Sequence, residues 1–100
     1  MFTVLYRWKI KPELEDQFIK AWSEVLEYYV KNFDSLGSRL HRGTDGIYYS
    51  YAQWKSAEHR EKAFSERIEM SARDKMREAI DKTFEAVELE VLSDFLKVGQ

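Results

Sequence analysis

Four aromatic residues are the side chains of this sequence best suited to chemistry. Tyr6 and Trp8 lie on a predicted first strand, and Trp22 and Tyr29 lie on a predicted first helix. Rings between a sheet and a helix stack on a flat ligand, and a phenol donates a hydrogen bond to a carbonyl or phenolate oxygen. Such a site is able to stabilise a carbanion or phenolate of a bound aromatic ligand. Tyr6 is therefore a candidate catalytic residue and the other three are candidate substrate-binding residues; the alternative is that all four are only core.

Histidine provides the second candidate. His41 lies on a predicted strand, where it is a candidate catalytic general base at a pocket or a subunit interface, with a structural role as the alternative. His59, between Glu58 and Arg60 on a predicted helix, is interpreted as a solvated residue. Neither histidine belongs to a spacing such as His-Glu-x-x-His, so the sequence predicts no metal site and no cofactor.

Composition places the chain among small globular domains. Its 100 residues predict one domain over residues 1–100, of which 44% are hydrophobic and 34% charged. The absence of cysteine excludes disulfides and thiolate chemistry. The net charge of −2 comes without a basic stripe, and no apolar run approaches about 20 residues, so we expect neither a nucleic-acid partner nor a membrane partner. The N-terminus lacks a signal-peptide pattern, which predicts a cytoplasmic protein.

Two hydrophobic periods indicate the elements that position the four rings. Residues 2–10 alternate strictly, which predicts a strand whose buried face carries Tyr6 and Trp8. Residues 13–33 repeat apolar side chains every three or four positions, which predicts a long helix that starts near Pro12. The predicted apolar stripe of that helix comprises Leu14, Phe18, Ala21, Trp22, Val25, Leu26, Tyr29, Val30 and Phe33.

The remainder of the chain predicts a hairpin, helices and a last strand. Strands at 36–42 and 47–54 are joined by a Gly-Thr-Asp-Gly turn, and Trp54 at the end of the hairpin is interpreted as a packing residue. Ser56 is a predicted N-cap for a second helix that includes Ile68. We expect a break near Ser71, with one unbroken helix as the alternative.

The helical period after the expected break continues through Ile80 and Phe84, so a third helical segment is predicted there. A fourth strand follows over residues 86–98, where apolar and acidic side chains alternate. The order of elements is therefore βαββαβ.

This order predicts an α+β, ferredoxin-like antiparallel sheet with the helices on one face. We expect the sheet order 4-1-3-2. The side chains of strand 4 that are expected to face the helices are Val87, Leu89 and Val91. On the other face we expect ion pairs from Glu88 and Glu90 to Arg7 and Lys9.

The second face of the predicted sheet is mixed and partly aromatic. It carries Leu5, Leu92 and part of the cluster Tyr48, Tyr49 and Tyr51. Apolar surface on one side of a sheet usually marks an interface. We therefore expect a homodimer whose open sheet faces close into an eight-stranded α/β barrel, with the tail 94–98 reaching the partner. A monomer with an aromatic surface is the alternative.

Three segments carry a family resemblance: the strand-to-proline segment 6–12, segment 37–42 before a glycine turn, and segment 51–56 at the start of the second helix. Together they resemble the antibiotic biosynthesis monooxygenase family of the dimeric α/β-barrel superfamily. The resemblance implies a homodimer with a pocket between sheet and helices. It also implies a cofactor-independent monooxygenase acting on a small aromatic or quinol compound. The alternatives are a non-catalytic small-molecule-binding or stress-related dimer and, more weakly, an isomerase of a small carbonyl compound.

The haem-degrading branch of that family relies on an Asn on strand 1, a Trp on helix 2 and a later His. The matching positions hold Tyr6 and either Ala63 or Phe64, and no histidine follows His59. The resemblance therefore does not extend to haem degradation by that mechanism.

Overall fold

The computed structural model describes residues 2–66 and 70–96, and these ranges contain five strands and three α-helices. In chain order they are β1 (Phe2–Ile10), α1 (Glu15–Asn32), β2 (Ser35–Arg42), β3 (Tyr48–Trp54), α2 (Ala57–Ser65), α3 (Ser71–Ala79), β4 (Ile80–Thr83) and β5 (Val87–Glu90). A 3-10 turn over Pro12–Leu14 leads into α1. No helix within the described ranges is long and apolar enough to cross a membrane.

The strands form one antiparallel sheet with β1 in its centre. β2 pairs with β3, β3 pairs with β1, and both β4 and β5 pair with the other side of β1. The predicted α+β, ferredoxin-like class and the order 4-1-3-2 are confirmed, with the fourth strand present as two pieces. β1 has the predicted bounds, Phe2–Ile10.

The predicted third helix ends earlier than expected. Ile80 and Phe84 are predicted to continue that helix, but α3 ends at Ala79 and Ile80 is already extended, with φ −84° and ψ 125°. Ile80 lies opposite Ile10 of β1. An apolar residue at this position fits both the helical period of α3 and the apolar face of a strand. The hydrophobic period alone therefore does not show where the helix ends.

The predicted break in the helical region is confirmed. α2 ends at Ser65 and α3 begins at Ser71. Ser56 caps α2 as predicted, since its Oγ accepts a hydrogen bond from the backbone N–H of His59 at 3.2 Å. Two predictions, Ile68 in the second helix and Val98 in the last strand, lie outside the described residues.

The last strand presents its apolar side chains to the opposite face from the one predicted. Leu89 lies opposite Thr3 and Val87 lies opposite Leu5, on the side away from the helices. Leu89 is 37% exposed and Val87 39% exposed, and Val91 just beyond the strand is exposed as well. The predicted packing of these three side chains against the helices is therefore wrong.

The acidic side chains of β5 likewise lie on the opposite face from the one predicted. Glu88 lies opposite Val4, a residue of the buried face of β1, and Glu90 shares that face. The predicted ion pairs of Glu88 and Glu90 with Arg7 and Lys9 are therefore wrong. Alternation shows which residues of a strand share a face, but the path of the chain between β4 and β5 decides which face that is.

The core lies between the inner face of the sheet and α1. The buried residues of α1 are Phe18, Ala21, Trp22, Val25 and Tyr29, all of which belong to the predicted stripe. Val30 is an exception, because it is 48% exposed and does not widen that stripe as predicted. The helix therefore turns two of the candidate rings, Trp22 and Tyr29, towards the sheet.

The β2–β3 hairpin has the predicted turn and one irregularity. Gly46 has a φ of +83°, and the backbone N–H of Gly43 donates to the carbonyl oxygen of Ile47 at 2.7 Å. Near the start of β2 the register with β3 shifts between Ser35 and Gly37, where Gly37 has a φ of +103°. Only glycine adopts such a conformation readily, so this bulge is specified by the sequence.

Candidate functional site

A cavity of about 280 Å³ lies between the inner face of the sheet and the helical layer. Its lining residues are Tyr6, Trp8, Trp22, Val25, Leu26, Tyr29, Ser50, Ala52, Trp54, Phe64, Arg73 and Met76. The structure thus brings together the four rings singled out from the sequence, and all three tryptophans of the chain face this space. An apolar cavity of about 150 Å³ holds benzene. The cavity described here therefore has room for a pair of fused rings.

Small side chains on β3 create this space. The inner face of β3 carries Tyr48, Ser50, Ala52 and Trp54 in alternation, so two small residues lie between two large ones. Ser50 is directly opposite Tyr6 of β1. A larger residue at either small position would fill the volume above the sheet, and its absence leaves room beside the aromatic rings.

Aromatic rings form two walls of the cavity. On β1, Tyr6 and Trp8 are stacked, with ring centroids 6.0 Å apart and planes 11° from parallel. Across from them, Trp54 meets Phe64 edge-on at 5.9 Å and Tyr29 edge-on at 6.1 Å. These are ordinary geometries for aromatic pairs, so the rings are positioned by one another and offer both faces and edges to a ligand.

Arg60 contacts the hydroxyl of Tyr6. Its Nε–H donates a hydrogen bond to Tyr6 Oη at 2.8 Å. Burial raises the pKa of the Tyr6 hydroxyl above its usual value, while the hydrogen bond and the positive charge of Arg60 act in the opposite direction. The phenol is therefore neutral at pH 7 and acts as a hydrogen-bonding group.

Two further polar groups lie at the base of the cavity. The hydroxyls of Ser50 and Ser38 are 2.5 Å apart and hydrogen-bonded across β3 and β2. The indole N–H of Trp54 is buried and has no hydrogen-bond partner within residues 2–66 and 70–96. A buried donor without a partner carries a free-energy cost.

A positive charge lies at the end of the cavity formed by α3. Arg73 lines the cavity and lowers the pKa of the Tyr29 hydroxyl, although burial is the larger effect and raises that pKa overall. The cavity therefore combines apolar rings with a guanidinium group that favours electron-rich or anionic atoms nearby.

The histidines lie outside the cavity. His41 is opposite Tyr49 on the other face of the sheet, where its side chain is exposed, so the structure does not bring it to Tyr6. His59 accepts or donates a hydrogen bond at Nδ1 with Ser56 Oγ, at 2.7 Å, rather than being fully solvated. Among the described residues, no cluster of three or more His, Cys, Asp or Glu side chains could hold a metal ion.

His41 instead borders a broad groove of about 700 Å³ on the open face of the sheet. The lining residues of this groove are Leu5, Leu36, Gly37, Ser38, Arg39, His41, Tyr49, Tyr51, Gln53 and Leu96. Val87 and Leu89 lie on the same face and add to its apolar surface. We call the residues that line the groove, together with Val87 and Leu89, the open face.

Several lining residues are not among the candidates from the sequence. Trp54 is interpreted there as a packing residue, whereas it packs and also lines the cavity. Phe64 and Arg73 were not singled out because helical period does not show which residues of α2 and α3 reach the sheet. The small pair Ser50 and Ala52, between larger residues on one strand face, is the signal in the sequence that indicates a cavity.

The antibiotic biosynthesis monooxygenase family model matches residues 1–80. The chain belongs to this family. Curated proteins gave no significant match in sequence. The family assignment therefore depends on the family model, and the comparison with solved structures concerns the fold alone.

Solved structures of several proteins share the fold. The N63A mutant of SnoaB, a cofactor-independent oxygenase from Streptomyces nogalater, has a TM-score of 0.78 at 12% identity, over 96% of this chain and 97% of that one. Another antibiotic biosynthesis monooxygenase has a TM-score of 0.73 at 14% identity, over 93% of this chain and 100% of its own. A conserved protein from Methanosarcina mazei Go1 has a TM-score of 0.73 at 16% identity, over 88% of this chain and 89% of that one.

Proposed function

We propose that this family member is a cofactor-independent monooxygenase-like protein that acts on a small aromatic or quinol compound in the cavity beside Tyr6. The observation that carries the proposal is a 280 Å³ cavity lined by aromatic rings, with a few polar groups at its base and ends. Family membership and the fold shared with SnoaB, a cofactor-independent oxygenase, support the same reaction class.

The proposed chemistry needs little from the protein beyond binding and electrostatics. For a bicyclic substrate such as the keto form of 1-naphthol, loss of a proton from the ring CH₂ to solvent water gives a carbanion in resonance with a phenolate. That anion transfers electrons to O₂; one oxygen atom becomes a new carbonyl and the other leaves as water with the two hydrogens. The substrate supplies all four electrons, so the protein lowers the barrier by stabilising the anion.

The cavity residues have distinct parts in this proposal. Trp8, Trp22 and Tyr29 hold the flat substrate by stacking and edge contacts, as expected for substrate-binding residues. Tyr6 donates a hydrogen bond to the developing oxyanion and is the proposed catalytic residue. His41, on the other face of the sheet, has no part in this cavity.

Oxygen consumption tests the proposal. An oxygen electrode with 1-naphthol, hydroquinones and naphthalenediols should record turnover above the rate without protein. Tyr6→Phe should lower kcat/KM by about 100-fold, the usual effect of losing one oxyanion donor. Tyr28→Phe is the matched control, because Tyr28 does not line the cavity and its loss should leave turnover unchanged. Equal loss in both variants, or no turnover with any substrate, would contradict the proposal.

Non-catalytic binding of a small aromatic molecule is the second candidate. It is favoured by one observation: the lining residues include no carboxylate and no imidazole, so the described cavity holds no strong general base. The same observation weakens the isomerase alternative, which needs an acid–base pair. Saturable quenching of tryptophan fluorescence by these compounds without oxygen consumption would establish the binding function instead.

We also propose that two copies associate through the open face. Leu89 and Val87 lie there beside Leu5, and Leu96 borders the same groove while being 78% exposed. Apolar surface of this extent on one side of a sheet is typical of an interface. Each cavity would then remain on the outer, helical side of its own sheet.

A further inference from the structure

The hydrogen bond between Arg60 and Tyr6 restricts what the Tyr6 hydroxyl is able to do in the cavity. A tyrosine hydroxyl has one hydrogen and two lone pairs, and a guanidinium group only donates. The Nε–H of Arg60 therefore occupies a lone pair of Tyr6 Oη. In the part of the chain that the structure describes, no acceptor takes the hydroxyl hydrogen of Tyr6. That hydrogen is left for a ligand.

Arg60 is itself held in place by two rings. Its guanidinium carbon is 4.7 Å from the centroid of the Phe64 ring and 5.6 Å from the centroid of the Tyr6 ring. Both distances fall within the range of cation–π attraction. Phe64 lies one turn further along α2, so the helix that carries Arg60 also carries a ring that supports it. The donor is thus pre-positioned before any ligand arrives.

We propose that Arg60 is a positioning residue that fixes the Tyr6 hydroxyl as a donor into the cavity, so that the site selects aromatic ligands bearing an acceptor oxygen, such as a ring ketone or phenolate. This inference rests on the proposed function and specifies the ligand class of the same cavity. A ring that presents an N–H or O–H donor towards Tyr6 meets a hydroxyl with one lone pair already engaged, and it leaves the hydroxyl hydrogen without a partner. A ring with neither group gains only apolar contact.

The charged and polar groups around Tyr6 are consistent with a hydroxyl that keeps its proton and acts as a hydrogen-bond donor. The charged groups that act on its hydroxyl are Arg60, which favours the phenolate, and Glu88 from β5, which disfavours it; the nearby hydroxyl of Tyr29 acts in the same direction as Glu88. With burial as the largest effect, the pKa stays above its ordinary value and the proton remains on the oxygen. Tyr6 therefore remains a donor at neutral pH.

Three bicyclic probes of similar size test the inference: 1-indanone carries an acceptor, indole carries a donor, and indane carries neither. Their dissociation constants are measured by isothermal titration calorimetry, which does not depend on the optical properties of the probes. The wild type should bind 1-indanone about tenfold more tightly than indole, because one net hydrogen bond is worth about that factor. Arg60→Glu replaces a donor by an acceptor, which takes the Tyr6 hydrogen and exposes a lone pair to the ligand. It should lower the 1-indanone preference at least tenfold.

Other variants separate this role from a structural one. Lys62→Glu makes the same charge change on an exposed residue of α2 and should leave the preference unchanged. Arg60→Lys keeps a side chain that only donates and should retain the preference. If Arg60→Glu does not fold, Arg60→Met carries the test, with an expected loss of at least threefold in the preference and unchanged affinity for indane. An unaltered preference in the folded Arg60 variants would overturn the inference.

The two proposals fail in different ways. If no probe binds the wild type, indane included, the cavity is not a ligand site and the proposed function fails. If indane binds but 1-indanone and indole bind with equal affinity, the cavity is a ligand site and only the role of Arg60 is wrong.

Discussion

At the scale of single residues, the question is whether the aromatic rings enclose usable space or only form a core. They do both: Trp54 is 2% exposed and belongs to the core, yet it lines the cavity. The space depends on Ser50 and Ala52, whose side chains are too short to reach the opposite wall. Function at this site therefore depends as much on residues that are small as on residues that are aromatic.

A matched pair of substitutions separates the two interpretations. Ala52→Leu adds the same atoms as Ala63→Leu. Ala52 lines the cavity, whereas Ala63 is a fully buried residue of α2 that does not line it. We expect Ala52→Leu to leave the free energy of unfolding nearly unchanged while weakening binding of indane at least tenfold. Ala63→Leu should cost about 1–3 kcal/mol through overpacking. Urea unfolding measures the stability and calorimetric titration measures the binding; equal destabilisation by the two substitutions would show that the space is not available.

At the scale of elements, α2 is the least buried part of the helical layer. Its one buried residue is Ala63, and Phe64 is 46% exposed although it touches Tyr29 and Trp54. The helix has little packing to stabilise it, so its N-cap matters more than usual. It also carries Arg60, which links the stability of α2 to the Tyr6 end of the cavity.

Ser56→Ala removes the side-chain acceptor at the start of α2. We expect a loss of about 1 kcal/mol in the free energy of unfolding, because the backbone N–H of His59 loses its partner. Ser56→Asp, which keeps an acceptor, should retain most of the stability. Hydrogen exchange should show faster exchange confined to α2 in Ser56→Ala; uniform acceleration across the sheet would contradict a local role for the cap.

Most of the fold follows from local patterns, whereas the site depends on tertiary placement. The alternation of β1 and the period of α1 locate Tyr6, Trp8, Trp22 and Tyr29 on facing surfaces, which is why those four rings meet. The contact between Arg60 and Tyr6 joins residues 54 positions apart in sequence. No period indicates such a contact. The position of His41 was open in the sequence because strand alternation alone does not show which side of a sheet the helices cover.

At the scale of the whole molecule, the sheet has one face under the helices and one without a helical cover among the described residues. The reversed faces of β5 make this open face more apolar than the sequence predicts, because Val87 and Leu89 join Leu5 there. This difference from the prediction strengthens the argument for association between copies rather than weakening it.

Leu89→Glu tests the association. A carboxylate at position 89, on the open-face side of β5, would be buried without a partner if two copies meet there. The variant should therefore sediment as a single chain of 12.0 kDa while the wild type sediments at twice that mass. Ile19→Glu is the control, since Ile19 is 42% exposed on α1, away from the open face. A wild type that sediments as one chain at micromolar concentration would contradict the proposal.

The bulge at Gly37 affects whether strands of other molecules are able to add to the edge of the sheet. β2 is the outermost strand of the described sheet, and a free strand edge is a template to which further strands add. Here the edge is kinked at Gly37 and carries the exposed positive side chain of Arg39. Two molecules that approached through their β2 edges would meet with mismatched ladders and like charges. At this edge, the bulge therefore disfavours addition of further strands while leaving the open face available for association.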